Sequence, residues 1–444
     1  MMKQEDLKIK SLGPCKILSP SLRSTEKTMS GFHFVEDTEG VLFDVIVDRQ
    51  NSKDLFNGNV PLLMERAGPR EKIYFDPSKT TAAIVTCGGL CPGINDVIRS
   101  LVMALFYRYG VKKVFGVQYG YEGFIPEYGH SFIDLEPEIV ANIHQFGGTM
   151  LGSSRGKQDI ESIVDCLERH NVNMLFTIGG DGTLKGAYAI HEEIEKRGLK
   201  ISVVGIPKTI DNDINHIEKS FGFETSVTSA SPIIRDAHNE AKGAFNGVAI
   251  IKLMGRDSGF IAASAVMAMP EVNVVLVPEV DFDLEGPNGL LEFIRKRLEA
   301  KHHCVIVVAE GAGQHLFTEE NGERLDASGN KLHEDIGIYL KEQIGMMMKK
   351  SDIKGTIKYI DPSYIIRSAP ANPTDSIFCN QLGLAAVHGA MCGKTAFVVG
   401  QRTDTFVHLP IPFVTAQRKK IDVEGDLWLN VLESTGQPIS MKND

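Results

Sequence analysis

The sequence predicts an α/β protein with two doubly wound, Rossmann-like α/β domains, an active-site cleft between them and a small N-terminal extension. Short apolar runs alternate with segments of helical periodicity from Thr80 onward, which is the pattern of parallel βαβ units. These runs are too numerous for one sheet of common size, and 444 residues predict two or three domains. Polar and glycine-rich segments follow several runs directly, at the strand ends where α/β proteins bind ligands.

The periodicity of apolar residues predicts each element in turn. Strands are expected where aliphatic residues run together for a few positions, and helices where they recur at helical spacing. The predicted strands are 82–86, 114–117, 174–178, 201–206, 248–252, 274–277, 305–309, 356–360 and 395–399. The predicted helices are 95–109, 137–146, 159–170, 184–197, 223–241, 259–269, 290–300, 333–349 and 376–388.

Both ends of the chain depart from this alternation of predicted strands and helices. The first residues mix short alternating stretches, such as 41–47, with turn residues such as 57–59, and predict an extension that contains strands. The tail after Ser434 is polar and is expected to be frayed. The predicted division is an extension of 1–78, one α/β domain of 79–222 and 371–410, a second of 223–370, and a C-terminal segment of 411–444.

Composition and charge argue against two classes of partner. A net charge of −10 and a pI near 5.8 argue against a nucleic-acid binder. The N-terminus lacks the apolar region of a signal peptide, and no run approaches the roughly 18 apolar residues of a membrane helix. Seven scattered cysteines without framework spacing predict reduced thiols and a cytoplasmic location.

The most informative stretch is Thr-Ile-Gly-Gly-Asp-Gly-Thr at 177–183, between a predicted strand and a predicted helix. Glycines let backbone N–H groups approach a bulky anion, and the helix start adds a favourable partial charge. Asp181 would repel a phosphate, so its expected task is to hold Mg²⁺ against the phosphates of a nucleotide. The alternative is an ordinary strand-to-helix turn, in which glycine and aspartate are also common.

Two aspartates, Asp211 and Asp213, follow the predicted strand 201–206. On an extended loop, residues two apart face the same way. One carboxylate could then take a proton from a substrate hydroxyl while the other supports a metal or the local structure. The alternative is an Asx-rich turn that caps the helix starting near Phe223.

Four basic residues could neutralise phosphate, although lone basic residues are more often solvated surface groups. Arg256 is favoured because it lies between Gly255 and a helix start. No Gly-x-x-x-x-Gly-Lys-Ser/Thr loop and no strand-linked Gly-x-Gly-x-x-Gly occurs, so the sequence supports neither of those nucleotide sites. The four basic residues are Arg155, Lys208, Arg256 and Arg367.

An ordered set of motifs runs through about 80–400. These motifs are Gly88-Gly89 with 92–95, then 147–155, 179–183, 207–213, 254–256, Glu310, and 364–367. The set resembles the phosphofructokinase family, which phosphorylates fructose 6-phosphate at O1 to give fructose 1,6-bisphosphate. The resemblance implies that the first α/β domain binds the nucleotide and that the second binds the sugar phosphate.

The resemblance also implies a role for each matching residue. Asp211 would be the base that accepts the proton of the sugar O1, and Asp181 would bind Mg²⁺. The implied donor site is Gly89, Arg155, Gly180, Asp181, Gly182 and Thr183. The implied sugar-phosphate contacts are Thr209, Ile210, Asp211, Met254, Gly255, Arg256, Glu310, Tyr364 and Arg367.

Two residues bear on which phosphoryl donor the resemblance implies. Lys208 is similar to the pyrophosphate-using enzymes, whereas Gly182 is similar to the ATP-using enzymes, because pyrophosphate users carry a second aspartate there. A carboxylate at 182 would repel the α-phosphate, whereas glycine leaves a backbone N–H for the phosphates. The implied donor is therefore ATP with Mg²⁺.

The chain departs from the short bacterial members of the family. Those enzymes carry an arginine that reaches across a subunit interface where this chain has Gly247, and a histidine where it has Tyr364. Lys358 occupies the position of another such arginine, so a homo-oligomer, either a dimer or a tetramer, is still expected. The extension and Tyr364 resemble the longer enzymes of trypanosomatids and plants. The regulatory site of the short enzymes therefore cannot be assumed for this chain, and the allosteric effector is left open.

Three other functions compete with this interpretation. Within the family, the enzyme could use pyrophosphate. Outside it, NAD and lipid kinases also carry Gly-Gly-Asp-Gly-Thr, but they lack the motifs at 207–213 and 254–256. A non-catalytic regulatory relative is the third alternative. The retained site residues argue against it, namely Asp181, Asp211, Arg256 and Arg367.

Overall fold

A computed structural model describes residues 2–20, 34–46, 61–317 and 332–443. The turn predicted at 57–59 and the last residue of the stretch 41–47 lie outside this part of the chain. The strands are β1 (Lys10–Ser11), β2 (Ile17–Leu18), β3 (Gly40–Leu42), β4 (Leu63–Arg66), β5 (Lys72–Ile73), β6 (Thr81–Thr86), β7 (Lys113–Val117), β8 (Phe132–Asp134), β9 (Met174–Gly179), β10 (Ser202–Pro207), β11 (Gly247–Leu253), β12 (Val274–Leu276), β13 (His303–Ala309), β14 (Ile357–Ile360), β15 (Lys394–Thr395), β16 (Phe397–Arg402) and β17 (Thr405–Pro410).

Helices alternate with these strands from β6 onward. The α-helices are Ile94–Met103, Pro137–Val140, Ile160–Arg169, Asp181–Lys196, Phe223–Gly243, Phe260–Ala268, Leu290–Lys301, Ile336–Lys350, Ser363–Arg367, Pro373–Met391, Ile411–Val414 and Asp426–Thr435. The first of them continues as a π-helical segment, Ala104–Tyr109. Across the described ranges, no helix is both long and apolar enough to cross a membrane.

The chain divides into two compact units, and neither is continuous in sequence. Unit 1 comprises Met1–Thr209, Ile214–Phe221 and Pro373–Arg418. Unit 2 comprises Ile210–Asp213, Gly222–Asn372 and Lys419–Asp444.

Unit 1 is built on a sheet with the strand order β3-β4-β17-β16-β10-β9-β6-β7-β8. The five strands from β16 to β7 are parallel, and antiparallel strands complete both edges. Strands β6, β9 and β10 are buried along their whole length, as is typical of parallel strands with helices on both faces. The predicted mixed α/β fold with a large, mainly parallel sheet is confirmed.

Unit 2 has a smaller parallel sheet with the strand order β12-β13-β11-β14. Its core contains apolar residues of β11, β12 and β13 together with those of the helices Leu290–Lys301 and Ile336–Lys350. Leu253 at the end of β11 pairs with Ala309 at the end of β13, so the segments after these strands begin at the same edge of the sheet.

Part of the N-terminal region belongs to the large sheet. Strand β3 pairs with β4, and β4 pairs with β17. Glu65 on β4 lies 2.8 Å from His408 Nδ1 and 3.0 Å from Lys394 Nζ. Burial alone would raise the pKa of Glu65, but its contacts with His408 and Lys394 lower it to about 2. The alternating stretch 41–47 forms only a short strand, because β3 ends at Leu42.

The prediction of a frayed C-terminal tail is wrong. Gln437 is 9% exposed, and its amide bonds the backbone of Val275 through both oxygen and nitrogen. Met441 is buried, and Asn443 bonds Asp283. Polar composition misled the prediction because Gln437 and Asn443 use their side chains to satisfy neighbouring polar groups within unit 2.

Candidate active site

The first loop cluster lies in unit 1 and consists of 87–89, 152–155, 179–183 and 207–209. Register places Thr86 of β6 beside Ile178 of β9, and Gly179 of β9 beside Pro207 of β10. The chain leaves β6 for β7 on one side and later returns to β9 on the other side. This is a topological switch point, where open α/β sheets bind ligands.

Hydrogen bonds join the loops of the first cluster. The Lys208 ammonium donates to the Gly89 carbonyl at 2.8 Å. Ser153 Oγ donates to the Gly88 carbonyl at 2.6 Å, and the Gly88 N–H donates to the Ser154 carbonyl at 3.0 Å. A side chain at Gly89 would begin 3.3 Å from Arg155 Nη2. Arg155, Gly89 and Lys208 are therefore close together, and Lys208 supports the glycine loop.

The glycine-rich segment at 179–183 leads from β9 into the helix Asp181–Lys196. Gly180 is the residue before the first helical turn, and the Asp181 side chain is 23% exposed. Among the described residues, a Cβ at Gly182 would have no atom within 4 Å other than its chain neighbours and the backbone of its own helix. The start of this helix thus offers backbone N–H groups and open space, which suits an anion.

Sequence reasoning missed Lys185. Its ammonium lies 2.9 Å from Asp181 Oδ2, one helical turn away. The i,i+4 spacing of Asp181 and Lys185 was the available signal. Because the lysine is largely exposed, the pair is worth at most about 1 kcal/mol, so it leaves Asp181 able to exchange partners.

The second loop cluster lies in unit 2 and consists of 210–213, 254–258, 310–311 and 361–367. Its central turn follows β11, where Gly255 has φ of +143° and a Cβ would overlap the Ser258 carbonyl oxygen. Ser258 Oγ donates to the carbonyl of Gly255 at 3.1 Å and to that of Asp211 at 3.3 Å. The Asp211 backbone is therefore bonded to the turn that carries Arg256.

The expected extended conformation around Asp211 and Asp213 is wrong. Asn212 between them has φ of 55°, and Ile210 and Asp211 form a turn. A left-handed residue reverses the chain direction, so the two aspartates do not share one face as they would on a strand. The Asp213 carbonyl accepts a hydrogen bond from the Lys419 N–H at 2.8 Å. Residues 210 and 211 thus form a turn, but this turn does not cap the helix Phe223–Gly243, whose N-cap residue is Gly222.

Arg256 has an uncommon backbone. Its φ is 41°, a conformation that costs a non-glycine residue on the order of 1–3 kcal/mol. Glu310 Oε1 accepts the Arg256 N–H at 3.1 Å, and a Cβ at Gly311 would overlap the Arg256 carbonyl. Glu310 and Gly311 therefore hold Arg256 in place, and such strain is typical of functional sites.

Tyr364 and Arg367 lie on the helix Ser363–Arg367, which follows β14 beside β11. The Arg367 guanidinium lies 5.0 Å from the centre of the Tyr364 ring, and Tyr364 is 77% exposed. A cation–π contact restrains both side chains. Arg367 itself is partly exposed.

Three of the expected sugar-phosphate residues are mostly buried. Met254 is 4% exposed, Ile210 is 7% exposed and Thr209 is 9% exposed. The Thr209 carbonyl accepts the Ser220 hydroxyl at 2.6 Å within unit 1, whereas Met254 and Ile210 belong to unit 2. Little side-chain surface of Met254 and Ile210 is available to a ligand, so their contribution would come mainly from the backbone.

The short bacterial enzymes place an arginine at two positions that are Gly247 and Lys358 in this chain. A Cβ at Gly247 would overlap the Ala241 carbonyl oxygen, so this backbone does not admit an arginine there. Lys358 lies on β14 and pairs with Glu240, and both side chains are largely exposed.

Within the part of the chain that the structure describes, no group of three or more His, Cys, Asp or Glu side chains could hold a metal ion. Mg²⁺ is commonly held by one or two carboxylates together with phosphates and water. Asp181, a partly exposed carboxylate at a helix start, fits that mode of binding.

Comparison with known proteins gives a consistent family. The sequence model of the family described as Phosphofructokinase matches residues 81–390. The ATP-dependent 6-phosphofructokinase of Borreliella burgdorferi is 51% identical, with 99% of this chain and 98% of that protein covered. The enzyme of the same name from Trypanosoma cruzi is 43% identical, with 97% and 88% covered.

A solved structure shares the fold. The pyrophosphate-dependent phosphofructokinase from Marinobacter aquaeolei matches with a TM-score of 0.65 and 22% identity. The match covers 81% of this chain and 92% of that chain. At this identity the likeness supports the fold and says nothing about the donor.

Proposed function

The chain belongs to the phosphofructokinase family, and on that premise we propose that it is an ATP-dependent 6-phosphofructokinase. It would transfer the γ-phosphoryl group of ATP to O1 of fructose 6-phosphate and release fructose 1,6-bisphosphate and ADP. The observation that carries the proposal is the near full-length identity of 51% to an enzyme of that name. The open space at Gly182 agrees with it.

ATP would bind at the first loop cluster. The N–H groups at the start of the helix Asp181–Lys196 and the Arg155 guanidinium suit the phosphates of a nucleotide. Lys208 adds positive charge, but its ammonium is bonded to the Gly89 carbonyl. Lys208 therefore has a structural task that does not depend on pyrophosphate, which weakens the argument for that donor.

Mg²⁺ would be held by Asp181 and by the phosphates of ATP. When bound, it would offset the negative charge of the transferring phosphoryl group.

Fructose 6-phosphate would bind at the second loop cluster. Arg256 and Arg367 would bind its phosphate, since guanidinium groups match phosphate oxygens with paired N–H donors. Asp211 would accept the proton of O1 as that oxygen attacks. The Ser258 hydrogen bond to its carbonyl would hold Asp211 beside the Arg256 turn.

The proposal is tested by coupled turnover of fructose 6-phosphate with ATP·Mg²⁺ and with pyrophosphate·Mg²⁺. We expect turnover with ATP and little with pyrophosphate. Faster turnover with pyrophosphate at saturating levels of each donor would show that the donor is pyrophosphate, as Lys208 indicates, and not ATP, as Gly182 indicates. No turnover of fructose 6-phosphate with either donor, but phosphorylation of NAD, would move the chain to another class of kinase.

Replacing Arg367 with lysine separates the sugar site from the donor site. We expect Arg367→Lys to raise the KM for fructose 6-phosphate by about 10-fold and to leave the KM for ATP nearly unchanged, because lysine cannot form the paired hydrogen bonds. Initial-rate kinetics with each substrate varied in turn measure the effect. A larger change in the KM for ATP would place Arg367 outside the sugar site.

We also propose a homo-oligomer, dimer or tetramer, in the cytoplasm. The family resemblance supports the oligomer, and the seven free cysteines, six of them buried, suit a reducing compartment. Sedimentation at assay concentration should give a mass at least twice the 48.8 kDa of one chain. A monomeric mass together with full activity would contradict the oligomer.

A further inference from the structure

A partly buried ionic cluster in unit 2 adjoins the second loop cluster and shares Asp361 with it. Lys252 Nζ lies 2.5 Å from Asp335 Oδ2 and 3.0 Å from Asp361 Oδ2. The Tyr359 hydroxyl donates to both Asp335 oxygens at 3.0 and 3.1 Å. The Lys252 side chain is only 12% exposed, so this cation is mostly out of contact with solvent.

Strand register brings the members of this cluster together. In the β11–β14 ladder, Ile250 pairs with Tyr359 and Ile251 pairs with Ile360. Lys252 follows Ile251 and Asp361 follows Ile360, which places them side by side just beyond the last paired residues. Asp335 comes from the start of the helix Ile336–Lys350, where it caps the Ile338 N–H at 3.0 Å.

Asp361 connects this cluster to the helix that carries Arg367. Its Oδ1 accepts the Ser363 hydroxyl at 2.5 Å and the Ser363 N–H at 3.1 Å. Ser363 is the first residue of the helix Ser363–Arg367. A five-residue helix has little stability of its own, so its position depends on contacts of this kind.

Lys252 also lies two residues before Met254, on the strand that leads into the Arg256 turn. The Lys252 side chain thus contacts Asp361, which bonds the start of the Arg367 helix. Lys252 itself belongs to β11, the strand that leads to Arg256. The pKa values agree with a charged cluster. Burial opposes the charged forms, but the mutual hydrogen bonds keep the pKa of Lys252 above its ordinary value and those of Asp335 and Asp361 below theirs.

We propose that Lys252 is a positioning residue for sugar-phosphate binding, which fixes the Arg367 helix relative to the Arg256 turn through Asp361. This inference rests on the proposed function of the second loop cluster. Lys252 itself has no contact with substrate in this role. Its effect would pass through Arg367.

Lys252→Met should raise the KM for fructose 6-phosphate by about 10-fold and change the KM for ATP little, since small misplacements of binding groups are costly. The pair of Lys296 with Glu292 provides a matched control, because the Lys296 side chain is 63% exposed and Lys296→Met removes a cation from the surface of the same unit. Asp361→Asn is a second variant in case Lys252→Met folds poorly. It keeps an oxygen for Ser363 and loses the charge that faces Lys252.

Two further measurements separate positioning from general stability. If Lys252 acts through Arg367, the double variant Lys252→Met/Arg367→Lys should have a KM for fructose 6-phosphate close to that of Arg367→Lys alone. Hydrogen exchange at the amides of Ser363–Arg367 should be faster in Lys252→Met and in Asp361→Asn than in Lys296→Met.

An unchanged KM for fructose 6-phosphate in folded Lys252→Met and Asp361→Asn would overturn the inference. Additive effects in the double variant would overturn it as well. A wild-type protein that does not turn over fructose 6-phosphate would overturn the proposed function instead, and hydrogen exchange would then still decide whether Lys252 holds the helix.

Discussion

Asp211→Asn is expected to lower kcat by a factor on the order of 10²–10⁴, the usual contribution of a positioned general base. The amide is nearly the same size as the carboxylate but cannot accept the O1 proton. Because the Ser258 bond is made to the backbone of Asp211, the turn should be retained. Binding of fructose 6-phosphate, measured by calorimetry, should therefore survive while turnover collapses.

Asp213→Asn serves as the comparison for Asp211→Asn. The left-handed Asn212 separates the two aspartates, so only one of them is expected to act as the base. We expect Asp213→Asn to retain far more activity than Asp211→Asn. The reverse order, or near wild-type kcat in Asp211→Asn, would remove Asp211 from its assigned role.

Gly182→Asp is expected to reduce kcat/KM for ATP by about 100-fold. In the described part of the chain, a Cβ at this position in the first helical turn would have no atom within 4 Å outside its own helix, so the fold should be unaffected. The new carboxylate would face the phosphates, and like-charge juxtaposition costs several kcal/mol. A 100-fold loss of kcat/KM corresponds to about 2.7 kcal/mol.

Gly182→Asn separates charge from volume. It adds nearly the same volume without the negative charge, and its kcat/KM for ATP should fall much less than that of Gly182→Asp. Equal losses in the two variants would mean that space rather than charge decides the donor at this position. No loss in either variant would remove Gly182 from the donor site.

The sequence predicted the fold well where local patterns decide it. Buried runs such as 174–178 have no polar face, and they form parallel strands as predicted, here Met174–Gly179. The expectation that the glycine and arginine motifs lie at strand ends, where α/β proteins bind ligands, also held, since these motifs lie in loops that follow neighbouring strands. These features depend on short-range periodicity, which a single sequence contains.

The sequence could not predict contacts that depend on tertiary structure. The turn at Asn212, the ordered tail around Gln437 and the Lys252 cluster each join segments that are distant in the chain or require a left-handed residue. The sequence predicted Lys252 only as the last residue of the strand 248–252. Its partners are Asp335 and Asp361, which are distant in the chain, and nothing in the sequence around Lys252 indicates them.

The order of strands in the large sheet has a consequence for synthesis on the ribosome. Strands β3 and β4 are made early, yet β4 reaches the rest of the sheet only through β17, near the end of the chain. At a translation rate of roughly 10 residues per second, the interval between the synthesis of β4 and that of β17 is on the order of tens of seconds. During that time one edge of the nascent sheet stays open to pairing with other chains. Chaperone capture of nascent chains should therefore be strongest before Thr405–Pro410 emerges.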